Sequence, residues 1–150
     1  MVFISYRRAD SNDVTGRIYD RFCTTLGPEQ VFKGVDNIPL GVYFRKHVSG
    51  SLDRCSACIV VIGKDWLNAR NSKGARRIDS PADHVRLEIE TALNRDIPEI
   101  PVLVQGAIMP HERELPGSLA TLAYRNGLSV RPDPDCRIDM DRLVTAIQAK

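Results

Sequence analysis

The chain has 150 residues, 43% of them hydrophobic and 27% charged, with a formal net charge of +2. That is the composition of an ordinary soluble domain with room for a real core. Its lysines and arginines are scattered rather than gathered into a basic stripe with interleaved aromatics. No apolar run approaches membrane-spanning length, and the N-terminus lacks the charged-then-apolar layout of a signal peptide. A cytoplasmic protein without direct nucleic-acid or membrane partners is the expectation.

Val2 to Ser5 reads as a buried first strand, followed at once by Tyr6, Arg7 and Arg8. A helix is expected from about Asp13 to Leu26, capped by Ser11 or Asn12, with Ile18, Phe22 and Thr25 or Leu26 inward, and stopped by Gly27-Pro28. Gln30 to Lys33 is a short second strand. The following loop, Gly34 to Gly41, carries more apolar surface (Val35, Ile38, Leu40) than a plain turn needs. A second helix from about Tyr43 to Cys55 leads into the third strand, Cys58 to Ile62.

Gly63 to Ser80 reads as a loop holding the only tryptophan, Trp66, and a basic run from Asn68 to Arg77. Ser80-Pro81-Ala82-Asp83 predicts a helix start, with Ser80 as cap and Pro81 in the first turn, running to about Asn94. Glu99 to Val104 is the fourth strand. Leu115 to Leu122 is expected as a short helix, a fifth strand falls between Ala123 and Val130, and Arg137 to Gln148 is a terminal helix with Ile138, Leu143 and Ile147 inward.

Buried strands alternating with helices indicate an α/β domain with a parallel sheet covered on both faces. Right-handed crossovers then favour a flavodoxin-like five-stranded sheet of order 2-1-3-4-5. The winding reverses between the first and third strands, so the ligand crevice is expected over Tyr6-Arg7-Arg8 on one side and Gly63-Lys64-Asp65-Trp66 on the other. Two adjacent arginines at a strand end suit a phosphate-bearing ligand; the alternative is ordinary surface charge. Trp66 either lines the crevice or anchors its loop. The four cysteines, Cys23, Cys55, Cys58 and Cys136, include one C-x-x-C, Cys55 to Cys58. It leads into a buried strand, has no second pair, and lies in a sequence whose histidines are spread out, so it reads as structural thiols rather than a redox or zinc motif.

On the helix from Pro81 to Asn94, at about 100° per residue, Val85, Ile89, Ala92 and Leu93 form one apolar stripe. Glu88 falls on the shoulder of that stripe, and His84 lies one turn earlier on the same side. Position alone leaves two readings for Glu88: an acid acting on a ligand in the crevice, or a surface acid paired with Arg86 or Arg95.

Phe3-Ile4-Ser5-Tyr6-Arg7-Arg8, the Val31 to Gly41 loop, the Ser51 to Gly63 approach to the third strand, and Val85-Arg86-Leu87-Glu88-Ile89-Glu90-Thr91-Ala92-Leu93, taken in that order, resemble a TIR (Toll/interleukin-1 receptor) domain, most closely its bacterial branch. The resemblance spans nearly the whole chain. It implies a single TIR domain over residues 1–150, expected to be one part of a larger sensor protein. Enzymatic members cleave NAD+ at the nicotinamide–ribose bond with a glutamate on the third helix, which by this match is Glu88. Arg7, Arg8, Gly41, Tyr43, Trp66 and His84 are the implied substrate-binding residues. Val35, Asp36, Ile38 and Leu40 are the implied contact residues of a loop that joins subunits. Two positions depart from the family pattern: His84 stands where enzymatic members often carry tryptophan, and Gly34 where many relatives carry an acid.

The implied reaction asks little of a protein. Nicotinamide leaves as a neutral molecule, and the ribose that turns cationic needs a nearby negative charge, which one carboxylate supplies. No metal and no cofactor is required, NAD+ being the substrate. The resemblance further implies activation by self-association, suited to a toxic activity such as NAD+ depletion in defence against phage, and either linear or cyclic ADP-ribose as product. Two other readings stand beside it: a non-enzymatic TIR–TIR interaction module in which Val35, Ile38, Leu40 and Leu87 make the contacts, and a nucleoside-processing enzyme on a related fold.

Overall fold

The computed structural model of the chain describes residues 1–34, 40–41 and 43–149. Five parallel strands, β1 (Val2–Ser5), β2 (Val31–Lys33), β3 (Ala57–Ile62), β4 (Glu99–Val104) and β5 (Leu128–Val130), form one sheet of order β2-β1-β3-β4-β5. This is the expected flavodoxin-like α/β arrangement, with the winding reversing between β1 and β3.

Alternation along the strands divides the core into two layers. Val2, Ile4, Ala57, Ile59, Val61, Val102 and Val104 face α1 (Arg8–Leu26) and α4 (Cys136–Gln148), where Ile18, Phe22, Leu143 and Ile147 meet them. Phe3, Cys58, Val60 and Ile62 face α2 (Phe44–Leu52) and α3 (His84–Asn94), where Val48, Leu52, Val85, Ile89 and Ala92 pack. All six residues of β3 are buried, as a central parallel strand requires. The second layer fixes the direction of Ser5: it lies two residues beyond Phe3 on the same side of the sheet, toward α3.

Several boundaries differ from expectation for local physical reasons. α1 begins at Arg8 instead of Asp13, but Ser11 breaks the helical geometry (φ −141°, ψ 31°), so the long regular helix does start after the anticipated cap residue. α3 begins at His84 rather than Pro81. Its cap is Asp83, whose carboxylate accepts from the Arg86 amide, while the Ser80 hydroxyl accepts only from Ala82 in the preceding turn. The expected helix at Leu115 to Leu122 is a 3-10 helix, Gly117–Tyr124. In α4 the buried stripe is Cys136, Met140, Leu143, Val144 and Ile147, and Ile138 points outward. Asp139 takes an inward position because the Arg131 side chain and amide both bond its carboxylate. Cys55 and Cys58 are free thiols, both pushed up in pKa by burial, so neither is poised to react.

Glu99 opens β4 beside Cys58, buried, and neither carboxylate oxygen has a hydrogen-bond partner among the described residues. Burial lifts its pKa from 4.5 to about 8, with Arg125 acting in the opposite sense. The folded chain therefore keeps a proton that the unfolded chain releases above its ordinary value. Stability is fully present below about pH 4.5 and falls as the pH rises through about 8. Glu99→Gln is expected to resist urea better than the parent protein at pH 8, with the difference shrinking toward pH 5. An identical pH dependence in the two proteins would contradict this account.

Candidate active site

The carboxyl end of β1 is tied to the start of α3 by one ion pair. Arg7 Nη1 and Nη2 donate to the two oxygens of Asp83 at 3.0 and 2.7 Å, and Arg7 Nε donates to the Trp66 carbonyl at 2.9 Å. Both side chains are buried, and the guanidinium also lies over the Trp66 ring, 6.0 Å from its centroid. Since Asp83 is also the helix cap, one carboxylate both starts α3 and fastens it to β1. The loop after β3 is held in parallel: the Asp10 carboxylate accepts from the Gly63 and Asp65 amides at 2.9 and 2.8 Å.

This bracing brings Glu88 to Ser5. Glu88 is 1% exposed, and its Oε1 accepts from the Ser5 hydroxyl at 2.8 Å. Its Oε2 is buried without a hydrogen-bond partner among the described residues. Arg86 and Arg95, the partners of the surface-acid reading, are engaged elsewhere: Arg86 with Glu90 and the Ile78 and Asp79 carbonyls, Arg95 with Ser49 and Asp53. Burial raises the Glu88 pKa from 4.5 to about 8, opposed by the Ser5 hydrogen bond. Gly34 explains how the carboxylate fits. A Cβ there would lie 2.2 Å from Glu88 Oε2. The absent side chain is the space the glutamate fills, and the Gly34 amide continues the ladder by donating to the Ile4 carbonyl at 2.9 Å.

A cavity of about 610 Å³ is lined by Tyr6, Arg7, Arg8, Ala9, Arg77, Ala82, Asp83, His84 and Val85; Glu88 and Ser5 are not in its lining, and Glu88 lies one helical turn beyond His84. Of the anticipated binding residues it gathers Arg7, Arg8 and His84. Arg7 contributes as a paired cation, and Arg8 lies against the Tyr6 hydroxyl. His84 stacks on Phe44 from the start of α2, ring centroids 3.9 Å apart, which joins the N-terminal ends of α2 and α3 at the cavity rim. Trp66 is fully buried and anchors its loop instead of lining the crevice. Gly41 and Tyr43 are exposed and lie outside the lining; Gly41 has φ +78°, a conformation that favours glycine. Leu40 is fully exposed, while Val35, Asp36 and Ile38 lie outside the described residues.

Sequence reasoning missed Ser5, Phe44 and Arg77 as parts of this region. Ser5 was legible in principle from strand alternation, which puts it on the α3 side. Arg77 was hidden in a basic run whose members only the fold tells apart. Among the described residues no cluster of three or more histidine, cysteine, aspartate or glutamate side chains is disposed to hold a metal ion.

A parallel sheet with a cationic cleft and a buried carboxylate at its topological switch point defines a flavodoxin-like α/β domain with a candidate ligand site. Comparison with known proteins makes this specific. A family model for the TIR domain matches residues 2–143, and the chain belongs to that family. Among solved structures it is similar to the TIR domains of the activated Roq1 resistosome directly recognizing the pathogen effector XopQ, with a TM-score of 0.62 over 99% of this chain and 96% of that chain at 11% identity, a likeness of fold. No curated protein matches the chain. No helix among the described residues is long and apolar enough to cross a membrane.

The two adjacent arginines are expected to separate in a stability measurement. Arg7→Ala leaves Asp83 without its buried partner and should cost about 3–5 kcal/mol. Arg8→Ala, at an exposed position, should change stability by less than about 1 kcal/mol. Chemical denaturation of both variants checks this, and equal losses would refute the structural role given to Arg7.

Proposed function

We propose that this TIR domain is an NAD+ glycohydrolase in which Glu88 is the catalytic residue, and that self-association controls its activity. The observation that carries the reading is the Glu88 carboxylate itself. A buried acid with one hydroxyl donor and no ion-pair partner among the described residues is a poor way to stabilise a fold. It stands at the carboxyl end of β1, one helical turn after residues that line a cationic cleft. Strongly shifted carboxylates in such places are more often functional than structural.

The chemistry follows from the charge on the substrate. The bond between ribose C1′ and the pyridinium nitrogen breaks with its electron pair going to the nitrogen, so nicotinamide departs neutral. Positive charge grows on the ribose, and an ionised Glu88 beside it stabilises that charge and accepts from the ribose hydroxyls. Water then bonds to C1′ and loses a proton to give ADP-ribose; attack by an adenine nitrogen of the same molecule, again with loss of a proton, gives a cyclic product. In this conformation Glu88 lies against Gly34 and burial favours its protonated form, which on this reading is the resting state. Turnover requires the carboxylate to leave Ser5 for the cavity and to ionise, which an approaching pyridinium cation favours. Assembly through the surface that displays Leu40 is the proposed source of that change. A lone domain is then nearly silent, which suits an activity toxic to its own cell.

Concentrated protein incubated with NAD+, with and without a crowding agent, is expected to release nicotinamide. Glu88→Gln and Glu88→Ala should abolish release while leaving the fold intact by circular dichroism. No nicotinamide under any assembled condition would favour the interaction module instead. The pH profile adds a sign. Because the charged form is the active one, kcat/KM should climb with pH up to about 8 and then level off; a rate that falls over that range would argue against an ionised Glu88. Leu40→Glu should lower assembly and turnover together, and full activity in a strictly monomeric Leu40→Glu protein would disprove the link between the two.

A further inference from the structure

The cations around the cavity are not equivalent. Arg7 is consumed by Asp83 and the Trp66 carbonyl. Arg8 is engaged by Tyr6. Arg86, on α3 next to the lining residues, is tied to Glu90 and two backbone carbonyls. In the loop that supplies the far wall, Arg70 donates to the Gly74 carbonyl, and Arg76 makes a two-point contact with Asp79 and reaches the Glu114 carbonyl. Arg77 differs from all of these. Its side chain lines the cavity and makes no hydrogen bond or ion pair among the described residues.

The backbone beneath Arg77 is firmly placed. It starts the 3-10 turn Arg77–Asp79, its amide donates to the Ala69 carbonyl at 2.7 Å, and its carbonyl accepts from the Ser80 amide at 3.0 Å. The next side chain, Ile78, is fully buried in the second core layer. A fixed base thus carries an exposed guanidinium that has no protein partner among the described residues. The cavity lining holds three arginines against one aspartate, an excess of two positive charges before His84 is counted. Tyr6, Ala9, Ala82 and Val85 supply the less polar remainder, and about 610 Å³ lies within the usual range for small-molecule sites.

We propose that Arg77 is the specificity-determining residue for the anionic part of the ligand: its guanidinium, in the same cavity lining as Arg8, grips the diphosphate of a nucleotide held in this cavity. This rests on the reading of the cavity as the NAD+ site. A guanidinium fork matches phosphate oxygens in two-point geometry, and binding them supplies a partner that Arg77 lacks among the described residues. Arg77 takes no part in bond breaking. It acts on how tightly the phosphate-bearing substrate is held, while Glu88 acts on the ribose.

The test uses the full chain with Arg77→Gln, Arg77→Lys and, as a paired neighbour outside the cavity, Arg76→Gln. The probe is ADP-ribose, with adenosine as the same base and sugar lacking phosphate, both followed by calorimetry on dispersed and assembled protein. Arg77→Gln should weaken ADP-ribose binding about tenfold or more, Arg77→Lys less, and Arg76→Gln hardly at all, with adenosine binding unchanged throughout. For NAD+ turnover the loss should fall on KM and leave kcat in place. Equal ADP-ribose affinity in the parent protein and Arg77→Gln, equal losses for adenosine and ADP-ribose, or no ADP-ribose binding by the parent protein would each overturn the proposal. Its failure is distinct from failure of the enzymatic reading. Nicotinamide release with an unchanged KM in Arg77→Gln removes the subsite and keeps the enzyme. Arg77-dependent ADP-ribose binding without nicotinamide release keeps the subsite and removes the enzyme.

Discussion

Arg7 and Asp83 form the joint on which the rest of the site is hung. Their two parallel hydrogen bonds span the distance from the end of β1 to the start of α3. Because Asp83 also caps α3, the pair sets both where that helix begins and where its first turns sit against the sheet. The same guanidinium holds the Trp66 carbonyl, so the loop after β3 is brought into register with them. Glu88 meets Ser5 only because α3 is held in this position. A buried ion pair is a weak source of net stability but a strict geometric constraint, and here the constraint is what matters.

Two carboxylates of the molecule are buried at similar cost and with similar pKa values, and their locations separate their meaning. Glu99 lies at the amino end of β4, away from the crevice, among apolar groups and Cys58. Glu88 lies at the carboxyl end of the sheet, one helical turn beyond the lining of a cavity with excess positive charge. In parallel α/β sheets that end is where ligands bind. The same physical signature, a carboxyl group kept protonated by burial, therefore costs stability at Glu99, whereas at Glu88 it underlies the proposed function.

The order of strands, their alternation and the Tyr6-Arg7-Arg8 side of the crevice were legible from runs of apolar residues and from the handedness of parallel connections. So was the separation of a third helix carrying Glu88. The expected Gly63-Lys64-Asp65-Trp66 side of the crevice is replaced by Arg77 and residues 82–85. What misled the helical reading was local plausibility. Ser80-Pro81-Ala82-Asp83 has every mark of a helix start, yet a residue capable of capping twice, Asp83, outcompetes Ser80 once Arg7 has hold of it. Ile138 suits an inward position by period, but Asp139 goes inward because Arg131 neutralises it there. Both outcomes depend on arginines outside the helix concerned, Arg7 76 residues from Asp83 and Arg131 8 residues from Asp139, which the helical period does not contain.

By itself the sequence determined the class of fold and the family and placed Glu88 on the third helix, because periodicity, turn chemistry and an ordered set of motifs are properties of local stretches of chain. Tertiary structure alone decided which charges are used up and which remain available. Arg7 and Arg8 are neighbours, as are Arg76 and Arg77, yet Arg7 is bound by Asp83, Arg8 by Tyr6 and Arg76 by Asp79, while Arg77 lines the cavity with no side-chain partner among the described residues. The depth of Glu88 was likewise a tertiary matter: it rests on the missing side chain of Gly34 and the hydroxyl of Ser5. Partnership and desolvation are properties of the space between distant segments, and that space exists only once the chain has folded.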